Sequence, residues 1–401
     1  MSKHRWVKIF DVICEYSVYG LILSIPISSA AIESFFGLAF LSFLFKKILK
    51  PEFKFLKTKQ HLFLLLFVVF CVLSLFNSGQ YLRKSLGALF VKWLEYISIS
   101  LIISDILSSR LRLRNATGIL LLVSFVIGID GLSQRFFGVE FLWHRPTIKI
   151  VGGLTCITGP FHHYNSFGSY VACILSLVAA LLFLPVSKII YRASLSVVLA
   201  LLSLCLIFTF SRGAFIGLMS SLLLMLLIAR RFKVLFYIIG IVLISLFVVP
   251  GFRARLEFIF QPGGDTARFV MWRGAWNMIR ENPFLGKGLG TFMDYFPRYV
   301  KGLGAQYAHN CFLQIWAETG IFSLLSFLLF ISSILYKSIN AFIKSEDFLL
   351  LGISCAIFGF LVHSLFDTHL YSLQLAVLFW TLLGILAAQN SLACRSRCNS
   401  R

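Results

Sequence analysis

Charge is scarce in this chain of 401 residues: 13% of it is Asp, Glu, Lys or Arg, and only 16 residues are acidic. With 59% hydrophobic residues, there is too little polar side chain to cover a soluble core, so the composition excludes a soluble globular protein. The short alternating strands of an outer-membrane barrel are missing, and many apolar runs approach the roughly 20 residues that cross a bilayer as a helix. Nine cysteines occur singly. No CxxC or other ligand spacing joins them, which excludes a zinc knuckle or a dithiol centre and leaves them as small core residues. There is no DxD, and the turn ISSAAIES offers only Glu33, so a carboxylate-bound divalent cation is hard to assemble there. The glycines of FLGKGLGTF do not make a phosphate loop, because Lys287 is followed by Gly288 where a hydroxyl residue is needed; a flexible turn is expected. Neither an internal repeat nor a low-complexity segment is visible. The opening MSKHRWVKIFDVICEYSVYG has a basic flank without a small-residue cleavage site, and reads as a retained first helix that directs insertion.

What is there is an all-α pattern, a polytopic transmembrane helical bundle. Spans are expected near 11–27, 29–45, 61–77, 89–107, 116–134, 165–185, 193–210, 213–229, 234–250, 309–335, 348–366 and 370–388, about twelve in all. The chain is then one membrane domain, 1–401, with a long loop at 251–308. A net charge of +21 would suggest nucleic acid in a soluble protein. Here most basic residues fall in KKILKPEFKFLKTK, SRLRLR, SKIIYR, ARRFK, YKSINAFIK and the tail, which the positive-inside rule places in the cytoplasm with both termini. Membrane lipids are expected partners and nucleic acid is not.

The same topology puts SRG at 211–213, the interval 135–164 and the interval 251–308 on the translocated face. The last carries Arg253, Arg255, Arg268, Arg273, Arg280, Lys287, Arg298 and Lys301 against four acids, a basic surface suited to phosphate or to lipid headgroups. Arg268, Trp272, Ala275 and Ile279 recur at helical spacing, so 265–282 is expected as an amphipathic helix, capped by Asp265 or Thr266 and ended before Pro283. Arg268 and Arg273 lie about 140° apart on it and cannot both point at one small target. Arg212 stands at the membrane boundary on the same face. His309 opens the next helix and is the best candidate base there; Glu318, two and a half turns deeper by helix geometry, fits structural support. HHYN places His162, His163 and Asn165 at another helix start. In HSLFDTH, the spacing of His363 and Asp367 suits one helix face, with His369 nearby, but the set is short of a metal's ligands and reads as packing and capping.

TFSRGAF, ARFVMWRGAWNMIRENPFLGKGLGTF and AHNCFLQIWAETGIFSLL, in that order and spacing, resemble the signature of the O-antigen ligase and polymerase superfamily of bacterial membrane glycosyltransferases. GPFHHYNSFGSYVA resembles the family's Asn-containing helix entry, with the double histidine a departure. The motifs cover roughly 150–335. The resemblance implies a GT-C-like fold in the inner membrane and a site facing the periplasm. It further implies transfer of a glycan from undecaprenyl diphosphate to an acceptor hydroxyl with inversion, without metal or other cofactor. Carried over, Arg212 and Arg268 would hold the diphosphate and His309 would be the base. Asn310 would orient base or substrate; Arg273, Trp272, His162, His163, Asn165 and Glu318 are further candidates for the substrate site. Length and the single dominant outer interval favour the ligase, with lipid A-core as acceptor. A polymerase of repeat units, with 135–164 as a second outer loop, and a protein O-oligosaccharyltransferase are the alternatives. A transporter would need buried charges along a path, for which Glu95, Asp105 and Asp130 are candidates, and repeated halves, which are missing.

Overall fold

The computed structural model describes residues 3–52, 59–149, 153–184, 189–231, 266–300, 302, 304 and 306–398. The expected span 234–250, the expected cap Asp265, and Arg253, Arg255 and Lys301 lie outside the described residues. Within them the chain runs α1 (Lys3–Ser24), α2 (Ser29–Leu49), α3 (Lys59–Ser74), α4 (Leu82–Ala88), α5 (Leu94–Ile106), α6 (Arg110–Phe137), a hairpin of β1 (Ile148–Lys149) and β2 (Thr155–Cys156), α7 (Tyr164–Leu182), α8 (Ile189–Thr209) and α9 (Arg212–Ile228). It continues through α10 (Thr266–Glu281), α11 (Phe292–Tyr295), α12 (Cys311–Ser345), α13 (Phe348–His363) and α14 (Leu373–Cys398). Among the described residues, 7 helical stretches are long and apolar enough to cross a membrane, and α9 and α13 are shorter apolar helices.

Burial separates the centre of the bundle from its rim. The most apolar window of α7 is 83% buried and that of Leu373–Ala393 in α14 is 78% buried, against 28% for α8 and 22% for Gln60–Asn77. So α7 and α14 are central, and α3 and α8 turn most of their surface outward. Helix α13 packs on both α7 and α9, α14 on α5, and α3 on α12. The amphipathic helix expected at 265–282 is α10, and it rests on α12.

Several basic segments expected as loops are helical. YKSINAFIK continues α12 to Ser345, because neither Gly nor Pro interrupts it before Glu346 turns left-handed at φ 50°. SRLRLR begins α6, with Ser109 capping Arg112 N at 3.2 Å. At this end of the bundle Lys46 Nζ lies 2.6 Å from Asp11 and 3.1 Å from Asp105, and Lys47 Nζ lies 2.8 Å from Asp105. Asp105 is thus held in an ion-pair cluster joining α2 and α5. Asp130, near the other end of α6, accepts from Phe141 N at 2.9 Å and Leu142 N at 3.2 Å. Gln134 accepts from Thr158 N at 2.7 Å and Gly159 N at 2.9 Å. The interval after α6 is therefore a folded cap, pinned by side chains of α6.

The glycine-rich turn expected to be flexible is docked. Lys287 N donates to Ala317 O, Gly288 N to Glu318 O and Ile321 N to Pro283 O, each at 2.9 Å, where α12 breaks at Gly320 (φ 82°, ψ 171°). Glu318 is buried in α12, and its carboxylate collects Gly290 N at 2.9 Å, Phe292 N at 3.3 Å, Gln314 Nε2 at 3.3 Å and Tyr371 OH at 3.1 Å. A carboxylate so deep in a helix is tolerable because donors surround it.

A Cβ at Gly320 would stand 1.9 Å from Phe284 O in addition to straining a left-handed residue. Gly320→Ala is expected to destabilise the chain by about 3 kcal/mol or more. Gly118→Ala, on α6 with nothing within 4 Å of the added carbon, is expected to leave stability unchanged or slightly raised. Thermal unfolding of both in detergent tests this, and equal midpoints would refute the docking.

Candidate functional site

Helices α9 and α12 begin alike. A residue with positive φ, Phe210 at 50° or His309 at 46°, is followed by an extended polar cap, Ser211 or Asn310. Positive φ is costly for a non-glycine residue, although histidine tolerates it better than phenylalanine, and it is kept where the surroundings impose it. Asn310 Oδ1 accepts from Phe312 N at 2.9 Å and Leu313 N at 3.0 Å, so its side chain caps α12. His163 caps α7, its Nδ1 accepting from Asn165 N at 3.1 Å. Three helix starts thus bring His163, Asn165, Ser211 and His309 to one end of the bundle.

Asp367 joins them. Helix α13 ends at His363, so His363 and Asp367 do not share a helix face as their spacing suggested; Asp367 lies in the turn before α14. Its Oδ1 is 3.2 Å from His309 Nδ1 and accepts from Thr368 N at 2.8 Å, and its Oδ2 accepts from Asn165 Nδ2 at 2.9 Å. Cys311 N bonds Ser364 O at 2.9 Å, clamping the turn against α12. Burial alone would raise the Asp367 carboxyl, but the bond from His309 and the charges of His369, His309 and His363 outweigh it, and the group is held far below the ordinary carboxylate range. A carboxylate that keeps no proton can only accept, so in the neutral form of His309 it is Nδ1 that carries the hydrogen and Nε2 that has the lone pair. The His309 side chain is 34% exposed, enough for a ligand to reach it.

The other histidines differ. His363 and His369 are buried with ring centroids 4.1 Å apart, and His363 packs on Gly213. Burial pushes His163 down, with the charges of His309 and Arg268 pushing the same way against the pull of Asp367. Arg268, on α10, is within electrostatic reach of both His163 and His363, its charge helping to push each of them down. Arg212 opens α9 directly after Ser211 and is half-buried.

The remaining expected residues scatter. Arg273 is exposed on another side of α10 from Arg268, and Trp272 stacks edge-on with Phe269. His162 lines a 140 Å³ recess with Trp143, Arg145, Pro160 and Gln374, apart from the cluster. Glu318 holds the glycine-rich turn. A cavity of 680 Å³ lies at the opposite end of the bundle, among Lys46, Lys47 and Asp105, and touches none of the clustered residues; its size does not make it the site. In the sequence nothing links Asp367 to His309, and Ser211 looks like an ordinary helix cap. The one available signal was a carboxylate in an apolar turn between two histidines.

His369 is buried and pushed down to about 4 by loss of solvation. Its ordinary value is about 6.5, so between those values the unfolded chain binds the extra proton and folding weakens as pH falls. The loss reaches about 3 kcal/mol when complete. The depressed Asp367 gives up its contribution only below the usual carboxylate range, so the two windows do not overlap. Thermal stability is expected to drop on acidification from about pH 6.5, and His369→Gln to flatten that slope. An unchanged slope in the variant would contradict the assignment.

A family model described as O-antigen ligase matches residues 195–328. That stretch includes Arg212, Arg268, His309, Asn310 and Glu318, and leaves Asn165 and Asp367 outside. A search of curated proteins returns no match.

Proposed function

We propose that this chain, a member of the O-antigen ligase superfamily through its domain at residues 195–328, transfers a glycan from undecaprenyl diphosphate to a hydroxyl of lipid A-core. It does so at the periplasmic face of the inner membrane, as one membrane domain of about twelve spans with cytoplasmic termini and a long outer loop at 251–308. The observation that carries this reading is the His309–Asp367 pair, 3.2 Å apart, with Arg268 in electrostatic reach of the neighbouring His163 and Arg212 following Ser211, which bonds Asn165.

The chemistry follows from those groups. His309 Nε2 takes the proton of the acceptor hydroxyl while its oxygen forms a bond to the anomeric carbon, from the face opposite the leaving group. The bond from that carbon to the phosphate oxygen breaks, and its electron pair leaves with undecaprenyl diphosphate. Guanidinium groups at Arg212 and Arg268 offset the charge that grows there, in bidentate geometry and without proton exchange. Asp367 keeps the His309 ring in place and stabilises the imidazolium. Asn310 acts by fixing the start of α12, and Glu318 by fixing the turn beside it.

His309→Ala is expected to retain binding of the lipid-linked donor and lose about 10²–10⁴-fold in transfer. Arg268→Ala is expected to weaken both. Transfer by His309→Ala at the wild-type rate would remove the base from the scheme. The acceptor is tested by deleting the gene and examining the glycolipids. Loss of a ligase leaves bare core with accumulated lipid-linked polymer, whereas core bearing a single repeat unit would identify a polymerase, and unchanged lipopolysaccharide would point to another acceptor.

A further inference from the structure

We propose that Ser211 and Asn165 are positioning residues: a one-way chain of hydrogen bonds from the cap of α9 fixes the carboxylate of Asp367, and through it the ring of His309. This rests on the reading of His309 as the base. Ser211 is fully buried; its Oγ accepts from Ala214 N at 3.4 Å as the helix cap, so its hydrogen is free to donate. It donates to Asn165 Oδ1 at 2.7 Å, the shorter of the two contacts. That bond sets the amide. With its oxygen turned to Ser211, the Asn165 NH₂ must face Asp367 Oδ2, where it donates at 2.9 Å. A flipped amide would oppose its oxygen to the carboxylate and present NH₂ to a hydroxyl already accepting from the backbone. Only one orientation satisfies all three groups.

The fold is built to allow this. Asn165 needs no side chain for capping, because His163 already serves its backbone N–H. One turn on, Gly168 lets α7 and α9 approach: a Cβ there would lie 2.9 Å from Ala214 Cβ and 3.1 Å from Ser211 Cβ. Asp367 is then gripped from α7, from its own turn and from the start of α12. Oδ2 is occupied by Asn165, which leaves Oδ1 to Thr368 N and His309. Ser211 also precedes Arg212, so the turn that would hold the diphosphate also orients the base.

The test uses the full-length chain in proteoliposomes with an undecaprenyl-diphosphate-linked glycan and lipid A-core. Ser211→Ala and Asn165→Ala are each expected to lower kcat about 10-fold with little change in KM. Their double variant should be no worse than the more damaged single. On an Asp367→Asn background, Ser211→Ala should have no further effect, and Ser211→Thr, which keeps the hydroxyl, should restore most of the loss in an otherwise wild-type chain. Thermal unfolding of each variant identifies a change in folding. A merely structural role predicts losses that add on the Asp367→Asn background and track the unfolding midpoint, and that result overturns the proposal. If Ser211→Ala and Asn165→Ala turn over normally while His309→Ala does not, the relay fails and the base survives. If His309→Ala also turns over normally, the reading beneath both fails.

Discussion

A single half-buried carboxylate, Asp367, organises one end of this bundle. An ion removed from water must find its solvation in the protein, and here donors come from α7, from the turn that carries it and from the start of α12. Segments separated by some 200 residues of sequence converge on two oxygens, which is why several helix starts are drawn to one place. The left-handed backbone at His309 and Phe210 fits the same demand, since each lets a polar cap follow directly.

The catalytic reading is an extension of that solvation problem. A carboxylate held ionised can only accept, so it dictates which nitrogen of His309 keeps a hydrogen and which is left basic. Fixed positive charge from Arg268, within electrostatic reach of the cluster, suits a phosphate-bearing ligand. A fully buried carboxyl group, Glu318, plays a structural part, gathering backbone donors from the glycine-rich turn and the Tyr371 hydroxyl. Two acidic side chains thus separate by surroundings, one beside an accessible histidine and one sealed by backbone.

Much of this was legible in the sequence. Apolar runs mark the long apolar helices among the described residues, though α12 and α14 continue well past the expected ends and the short α4 and α11 have no such mark; the 3.6-residue recurrence of Arg268, Trp272, Ala275 and Ile279 marks α10. Helix ends were less legible where basic side chains continued a helix, as in YKSINAFIK, because lysine and serine there do not break it. Arg212, Arg268 and His309 stood out as polar groups at apolar boundaries. Asp367 did not, because its partner is 58 residues distant and its spacing from His363 mimicked a helix face that the turn at Ser364 abolishes. Ser211 reads as an ordinary cap, and only the close approach of α7 shows its second bond. The glycines of FLGKGLGTF read as flexibility, when their use is to let one backbone lie on another at Gly320.

Asp367 fixes the tautomer of His309, and ¹⁵N-histidine NMR of the labelled chain, assigned by loss of the signal in His309→Gln, measures it directly. In its neutral form His309 is predicted to carry hydrogen on Nδ1 with Nε2 bare, and to become a mixture of tautomers in Asp367→Asn. A neutral His309 protonated on Nε2 in the wild-type chain would contradict the account.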